Sequence, residues 1–434
     1  AELLDENTKV DGGDMVIAVS ADTRANAENG IELAKELLRK PKTKQNINIS
    51  WKPKTLSSAV ANDSGVNFVL ISVPGEFAAA EARKAIRRGL HVMMFSDNVS
   101  LEEEKALKIE AKSNNCLMMG PDCGTAILNG VPLAFANNMP RGDIGIVGAS
   151  GTGIQEVSTL IARNGGGISH AIGVGGRDLK SEIGGITTLM ALDVLEKDSS
   201  TRHIIIISKP PSPGVVEKVL EKVNDSRKTF TICFIGMEAC DVPHNAKFAP
   251  SLKASAELAL NKSFSKHDIE LGSRAESVSS LSPSICGLYS GGTLCAEAQV
   301  CFREAGQNFV SNAPIPGIKM IGESNEKHSL IDLGADEYTK GKPHPMIDPS
   351  IRDNEFDLAM SNDNIGIILF DVVIGFGSHS DPAGHMLEFL ENYIGNKTIL
   401  IGSVTGTDDD PQIAKLQIAK LKKANVLVAA SNFD

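Results

Sequence analysis

Short, continuous apolar runs alternate with amphipathic segments along most of this chain, and that alternation constrains the fold more than any other feature. The runs are VNFVLISV at 66–73, HVMMF at 91–95, IGIVGAS at 144–150, HIIIIS at 203–208, TFTICFI at 229–235 and GIILFDVVI at 366–374. None alternates with polar residues as a half-solvated strand does, so each suits a strand covered on both faces, as in a parallel sheet. Helical patterns at 76–88, 101–114, 151–164, 185–197, 215–224 and 293–306 follow these strands after short links. Strand, helix, strand in that rhythm predicts right-handed α/β crossovers. The small aromatic share (4%) and the 40 glycines suit tight strand-to-helix turns.

The 434 residues are enough for several domains. Residues 1–140 read as a first α/β domain of Rossmann type, opening on a strand at 15–20 and a helix at 25–40. Residues 141–262 read as a second, with strands at 144–150, 171–174, 203–208 and 229–235 and a closing helix at 251–261. The polar, Ser-rich stretch 263–283 reads as a linker, and 284–434 as a third domain with strands at 284–292, 366–374, 398–404 and 426–430. The second and third domains open alike. GASGTGIQE (148–156) and YSGGTLCAE (289–297) both follow an apolar strand and share G-T-x-x-x-E, which points to a duplication.

The bulk properties exclude some classes. A net charge of −11 argues against nucleic-acid binding by phosphate neutralisation. No apolar run approaches the roughly 18 residues of a membrane helix. The seven cysteines form no CxxC pair, so neither a disulfide framework nor a zinc site is expected, and no metal is assigned. With no secretory-signal pattern, the expected location is the cytoplasm.

The candidate chemistry lies in the Gly-rich turns. A strand running through Ser-Gly-Thr into a helix leaves the first helical amides without partners and adds the positive end of the helix dipole. Such turns are ready anion sites. Ser150, Gly151, Thr152 and Gly153 form one candidate phosphate cradle; Ser290, Gly291, Gly292 and Thr293 form a second. Neither carries the lysine of a P-loop. In IGVGGRDL (172–179), Gly175 and Gly176 permit close backbone approach to a ligand, and Arg177 and Asp178 add charge. His344 stands between two prolines, and Asp371, His379 and Asp381 sit on or just beyond a buried strand, where ligands of open α/β sheets bind. Glu102, Glu103 and Glu104 read as a solvated first helical turn.

Several segments carry a family resemblance. VNFVLISVPGEF, GLHVMMFSDN, MMGPDCGTAI, GDIGIVGASGTGIQE and AIGVGGRDL resemble the α subunit of succinyl-CoA synthetase in order and spacing. ICGLYSGGTLCAE, LIDLGADEY, FDVVIGFG and SVTGTDDDP resemble the C-terminal domain of its β subunit. The fusion of the two, with PLAFAN, SHAIGVGGRDL and GKPHPMIDP, resembles the FdrA-like proteins from about residue 10 to the end.

The resemblance implies a Rossmann-like, CoA-binding-type domain followed by two flavodoxin-like ligase domains. It implies CoA contacts at Val73, Pro74, Ser96 and Asn98, a substrate-facing turn at Asp122, and two helices aimed at a phosphohistidine from 150–153 and 290–293. The phosphohistidine segment itself is replaced by MEACDVPHNAKFAPS, where His244 lacks the family's glycine and alanine context. Lys209 stands where the family has an acidic residue, and no ATP-grasp segment is present. The expected activity is therefore that of an acyl-CoA synthetase-like ligase handling an acyl phosphate, with Arg177, Lys209 and His344 as catalytic candidates. The resemblance also implies, as an alternative, a subunit of an oxamate carbamoyltransferase that uses carbamoyl phosphate in ureide breakdown; the replaced catalytic groups leave a non-catalytic CoA-binding regulatory or scaffold subunit as a third reading. Partner subunits and a homodimer are further expectations.

Overall fold

The computed structural model describes residues 17–19, 21–39, 53–63, 65–265, 284–324, 326–393 and 395–434. Of the expected opening strand at 15–20 only residues 17–19 are described, and they form no strand; most of the linker at 263–283 lies outside the described residues. The chain divides into two compact units, Ala1–Gly65 and Val66–Asp434, so the expected 1–140 domain is split between them. The smaller unit contributes helices α1 (Arg24–Arg39) and α2 (Leu56–Asn62), the second started by a capping box between Thr55 and Ser58.

The larger unit begins with a parallel sheet, β1 (Phe68–Ile71), β2 (His91–Met94) and β3 (Met118–Met119), linked by α3 (Gly75–Ile86) and α4 (Leu101–Ser113). Helix α3 starts on Gly75, where only glycine fits because a Cβ would lie 2.2 Å from the Asp97 carbonyl oxygen. Ser100 caps α4 by accepting the Glu103 amide, as its place before an acidic turn implies. Glu104 departs from expectation: it is fully buried, whereas Glu102 and Glu103 face solvent.

A hairpin follows, β4 (Thr125–Leu128) and β5 (Val131–Ala134). The sequence reading put it in the first domain. It instead pairs antiparallel with β7 of the next sheet, through Ile127 and Ala171. That sheet contains β6 (Arg141–Gly148), β7 (Ile168–Gly173), β8 (His203–Ser208), β9 (Thr229–Phe234) and β10 (Ala246–Phe248), in the order β10-β9-β8-β6-β7-β4-β5. Its helices are α5 (Gly151–Arg163), α6 (Ile186–Lys197), α7 (Pro213–Asn224) and α8 (Leu252–Leu260).

The last sheet contains β11 (Ser284–Tyr289), β12 (Phe309–Ser311), β13 (Lys319–Met320), β14 (His328–Asp332), β15 (Ile365–Val373), β16 (Ile399–Thr405) and β17 (Leu427–Ala429), in the order β13-β12-β14-β11-β15-β16-β17. Helix α9 (Gly292–Glu304) follows β11; α10 (Asp336–Thr339), α11 (Asp353–Met360), α12 (Pro382–Leu390) and α13 (Ala414–Lys423) complete the unit. In both large sheets the founding strand, β6 or β11, is followed on one side by three parallel strands in chain order, as duplication requires. The other sides differ. β7 lies directly beside β6, whereas β14 separates β12 from β11.

The two large sheets share one apolar core. Ile154, Val157 and Leu160 of α5 and Leu294, Cys295 and Ala298 of α9 belong to the same buried cluster. Polar clamps cross the boundary as well. Glu156 accepts the Thr405 hydroxyl and, at 3.1 Å, the Asn432 amide. Glu297, its counterpart in the repeat, accepts the Leu252 amide at 2.7 Å and the Asn432 side-chain amide at 2.8 Å. The Asp410 carboxylate receives Asn137 Nδ2 and the Asn138 amide, each at 2.7 Å, which ties the PLAFAN segment to the SVTGTDDDP loop. The shared glutamate of G-T-x-x-x-E thus holds each half against the other.

Candidate functional site

The founding strands end at the same place. Ser150 follows β6, Ser290 follows β11, Lys209 follows β8, and Asp332 is the last residue of β14. All four stand at strand carboxyl ends, where open α/β sheets bind ligands. Ser150 Oγ and Thr293 Oγ1 are hydrogen-bonded across the boundary at 2.5 Å. Two helix N-termini therefore converge on one point.

The two cradles are not equivalent. Ser150 caps α5 by accepting the Gly153 amide at 2.9 Å, which leaves the amides of Gly151 and Thr152 without hydrogen bonds among the described residues. In the second turn, the Asp371 carboxylate takes the Ser290 and Gly291 amides, each at 2.7 Å. Arg352 Nη1 donates to Ser290 Oγ at 2.5 Å and to the Asp371 carbonyl at 2.8 Å. Asp371 is fully buried, and Arg352 stacks on Phe356 and Phe370. Asp371, expected to touch substrate, instead holds the turn from inside. Half of the expected second cradle is filled by the protein's own carboxylate. The amides of Gly292 and Thr293 remain, without hydrogen bonds among the described residues.

A second carboxylate lies at that remaining end. A Cβ built on Gly292 would sit 2.5 Å from Asp332 Oδ2 and 3.4 Å from Lys209 Nζ. Lys209 Nζ and Asp332 Oδ2 are 4.0 Å apart. Asp332 Oδ1 accepts the Gly334 amide at 3.0 Å. Burial raises the Asp332 pKa, and the Lys209 ammonium opposes that shift. His344 completes this side: a Cβ on Gly334 would lie 2.8 Å from its Nε2 and 3.3 Å from Asp332 Oδ1. Burial lowers the His344 pKa to about 4, so the ring is neutral. Its Nδ1 accepts the Met346 amide at 3.2 Å, which puts the proton on Nε2.

Asp122 Oδ2 lies 3.8 Å from the position of a Cβ on Gly176. Asp122 is exposed. Desolvation first, then the like charges of Asp97, Asp336 and Glu104 against the counter-charge of Arg177, raises its pKa to about 6. Gly175 is tightly packed, because a Cβ would meet the Pro121 carbonyl at 2.4 Å, and its φ is +86°.

Other expected site residues prove to be architectural. Arg177 pairs with Glu104 at 2.9 Å and donates to the Val99 carbonyl at 2.7 Å. Glu104 pairs in turn with Lys108 at 3.0 Å, and Lys108 with Asp178 at 2.6 Å. Asp178 caps α6 by accepting the Thr187 and Thr188 amides at 3.2 and 2.9 Å, a task that its N-cap Gly185 has no side chain to perform. Asp178, Glu104 and Lys108 are fully buried. This network welds α4 to the Gly-rich loop and commits Asp178, whereas Arg177, with its side chain 33% exposed, makes both of these contacts through Nη2. Asp381 is the N-cap of α12, accepting the Gly384 amide at 3.1 Å, and is paired with Lys420. His379 Nδ1 accepts the Asp381 amide at 3.1 Å.

At the CoA-type segment, Ser96 is buried and donates to the Val73 carbonyl at 2.5 Å, so its hydroxyl ties together the segments that leave β1 and β2. Val73 and Asn98 face solvent beyond those strands, and Pro74 is the N-cap of α3. His244 is exposed two residues before β10, and the neighbouring Asn245 carbonyl receives the Phe230 amide near the start of β9. It therefore lies at the amino edge of the sheet, opposite the helix ends.

Two family models match the parts of the chain that hold the two large sheets. A family model described as CoA-ligase matches residues 288–434, and one described as CoA binding domain matches residues 140–236. YahF, an uncharacterized protein of Escherichia coli strain K12, is 39% identical over 449 residues, 99% of this chain and 87% of its own length. The chain belongs to the FdrA-like family. The alpha subunit of the ADP-forming succinate–CoA ligase of Aquifex aeolicus is 30% identical over 161 residues, 36% of this chain, and the FdrA-like chain spans only 51% of that subunit. The apo dinucleotide-forming acetyl-coenzyme A synthetase 1 of Ca. Korarchaeum cryptofilum aligns with 14% identity and a TM-score of 0.37 over 85% of this chain and 80% of that one. The CoA-binding match covers β6 to β9 and not the segment holding Val73, Pro74, Ser96 and Asn98. Among the described residues no helix is long and apolar enough to cross a membrane, and none of their His, Cys, Asp and Glu side chains form a group of three or more suited to a metal.

Two features of this site were not anticipated from the sequence. Asp332 ends a strand that was not assigned, although a carboxylate at the close of LIDLG is the kind of position that rule of strand ends selects. Arg352 carried no signal, because its partner is 19 residues away in sequence.

Proposed function

We propose that this FdrA-like chain is an acyl-CoA synthetase-type enzyme that binds the phosphate of an acyl phosphate at the paired helix ends and passes the acyl group directly to CoA. The observation that carries this reading is the 2.5 Å bond between Ser150 and Thr293, which aims two helix N-termini at one point beside Lys209. The phosphate would lie against the amides of Gly151, Thr152, Gly292 and Thr293. Those fixed donors need no reorganisation as charge builds on the leaving phosphate. The CoA thiol attacks the acyl carbonyl, the carbon–oxygen bond to phosphate breaks, and the thiol proton ends on the departing phosphate. His344, neutral with its proton on Nε2, would donate to the reacting carbonyl oxygen. CoA would lie along the exposed ends of β1 and β2 at Val73, Pro74 and Asn98. With His244 at the far edge of the sheet, this route has no phosphohistidine step. Formation of the acyl phosphate from a nucleotide would fall to a partner subunit.

A second reading replaces CoA by a small carboxylate such as oxamate, with carbamoyl phosphate as donor. Lys209 favours it, being a cation at the α9 end where the ligases resembled by this chain carry an acidic residue. Calorimetric titration with CoA and, separately, with carbamoyl phosphate tests both. CoA binding that is lost in Asn98→Ala supports the first reading. Carbamoyl phosphate binding with no CoA binding replaces it with the second, and heat from neither ligand refutes both.

A further inference from the structure

The two converging helix ends differ in one respect that determines what they bind. The α5 end is open: the Gly151 and Thr152 amides carry no hydrogen bond among the described residues, and both residues are partly exposed. The α9 end already faces an anion. Asp332 Oδ2 lies 2.5 Å from where a Cβ on Gly292 would be, accepts no hydrogen bond among the described residues, and has Lys209 Nζ 4.0 Å away. The Asp332 side chain is only 8% exposed, and its other oxygen is held by the Gly334 amide. A carboxylate held dry against a helix N-terminus, with one oxygen uncommitted, competes with any incoming anion for the same partial positive charge.

We propose that Asp332 is a built-in anion at the α9 helix end, so that the paired site takes up a tetrahedral dianion only together with a proton, and that Lys209 is the cation both occupants share. The inference rests on the anion-site reading above and adds a selectivity rule to it. With Asp332 ionised, a dianion beside it meets a like charge in a dry site, where charge–charge terms are strong. With Asp332 protonated, that repulsion is gone and Lys209 is released to the ligand. The charged and titratable groups facing Asp332 are Lys209 beyond β8, His344 from the loop before α11, Asp371 on β15, Glu337 on α10 and Cys295 on α9. Lys209 favours the carboxylate, and Asp371 and Glu337 disfavour it. His344, with a pKa of about 4, stays neutral over the working range, and the Cys295 thiol, whose pKa burial raises, stays protonated. Burial raises the Asp332 pKa, which moves its titration toward neutral pH.

Sulfate is the probe, because its charge is constant across the range in which phosphate titrates. Affinity of the full chain is measured by calorimetry from about pH 5 to about pH 8.5, for the natural sequence and for Asp332→Asn. The expected result is affinity that falls as pH rises, approaching about tenfold per pH unit, since one proton enters with the anion. Asp332→Asn, which keeps an oxygen for the Gly334 amide, should bind more tightly at the upper end and lose that slope. Asp122, with a pKa of about 6, titrates in the same range, so Asp122→Asn is measured in parallel and should keep the slope. If both the natural chain and Asp332→Asn bind sulfate with the same affinity and slope, the inference is overturned and the anion-site reading stands. A slope that disappears in Asp122→Asn instead also overturns it. If only Asp332→Asn binds, the inference is supported in its strongest form. If neither protein binds sulfate or phosphate at any pH, the anion site and the inference fall together.

Discussion

Changing Asp371 to Asn tests how the second turn is held. The fully buried carboxylate accepts two amides at 2.7 Å and stands 3.3 Å from Arg352 Nη1. Asparagine offers one acceptor where two are needed, so the Ser290 or Gly291 amide would face an NH2 group. Losing one charge-assisted bond is worth about 1.5–3 kcal/mol. The substitution also leaves the Arg352 guanidinium buried without its counter-ion, and breaking such a pair costs about 3–5 kcal/mol. The two losses share one cause and do not add, so the expected destabilisation is about 3–5 kcal/mol. Hydrogen exchange of peptides spanning β11 and α9, measured along a urea series, reads the stability of this half without assuming that the whole chain unfolds in one step. The Ser290 and Gly291 amides should lose protection first. In an Arg352→Met background the same Asp371 change should cost at least about 1 kcal/mol less, because no charge is then stranded. A cost below about 1 kcal/mol, or strict additivity of the two changes, would refute the view that this pair holds the turn.

Other consequences follow from the same geometry. Desolvation first, opposed by the Asn432 hydrogen bond and reinforced by the Glu156 charge, raises Glu297 from its usual 4.5 to about 7. The protonated form is therefore favoured in the folded state, and its stability is lost as pH rises through about 7, by about 3 kcal/mol at full ionisation. Thermal unfolding should show a midpoint that falls as pH rises from about 4.5 to about 7 and levels off above, with the fall reduced in Glu297→Gln. Combining Ser150→Ala with Thr293→Val removes the bond that joins the helix ends and should weaken phosphate binding about tenfold by calorimetry, leaving CoA affinity unchanged. Lys108→Met leaves Asp178 in the interior without its cation, while Glu104 keeps Arg177, and should destabilise the chain by about 3–5 kcal/mol in chemical denaturation.

What the sequence reveals about this protein, and what it hides, divides along physical lines. Continuous β-branched runs such as HIIIIS and GIILFDVVI have a local cause, burial on both faces, and they form β8 and β15. Capping is local too, so Ser100 and Ser150 start α4 and α5 where a Ser before a helical pattern implies. The strands β12, β13 and β14 are short or carry polar residues, and they fall between stronger signals, so periodicity did not mark them. The hairpin at 125–134 is assigned no element from the sequence; its sheet partner is Ala171, and nothing near it in sequence announces that pairing. Among charged residues the limit is sharper. Arg177, Asp178, Asp371 and Asp381 look like ligand groups because they flank glycines at strand ends, yet each is committed to a partner distant in sequence: Glu104, Lys108, Arg352 and Lys420 respectively. Glu104 looks like a solvated first-turn residue and is the buried centre of an ion network. The convergence of 150–153 with 290–293 was visible as a repeat, but its inequality depends on Asp332 and Asp371, which only the folded chain brings to the second turn.

The most direct test of the central claim is nucleotide-free arsenolysis. Arsenate occupies a phosphate site and attacks the thioester of an acyl-CoA, and the acyl arsenate then hydrolyses, so each turnover releases one free thiol. The purified chain is incubated with acetyl-CoA, propionyl-CoA and succinyl-CoA, with and without arsenate, and thiol release is recorded. Acyl transfer at the paired helix ends predicts arsenate-dependent release with at least one of these thioesters, abolished by Gly292→Ala, whose methyl group would meet the Asp332 carboxylate. Tight CoA binding with no arsenate-dependent release would contradict it and leave the chain a CoA-binding scaffold.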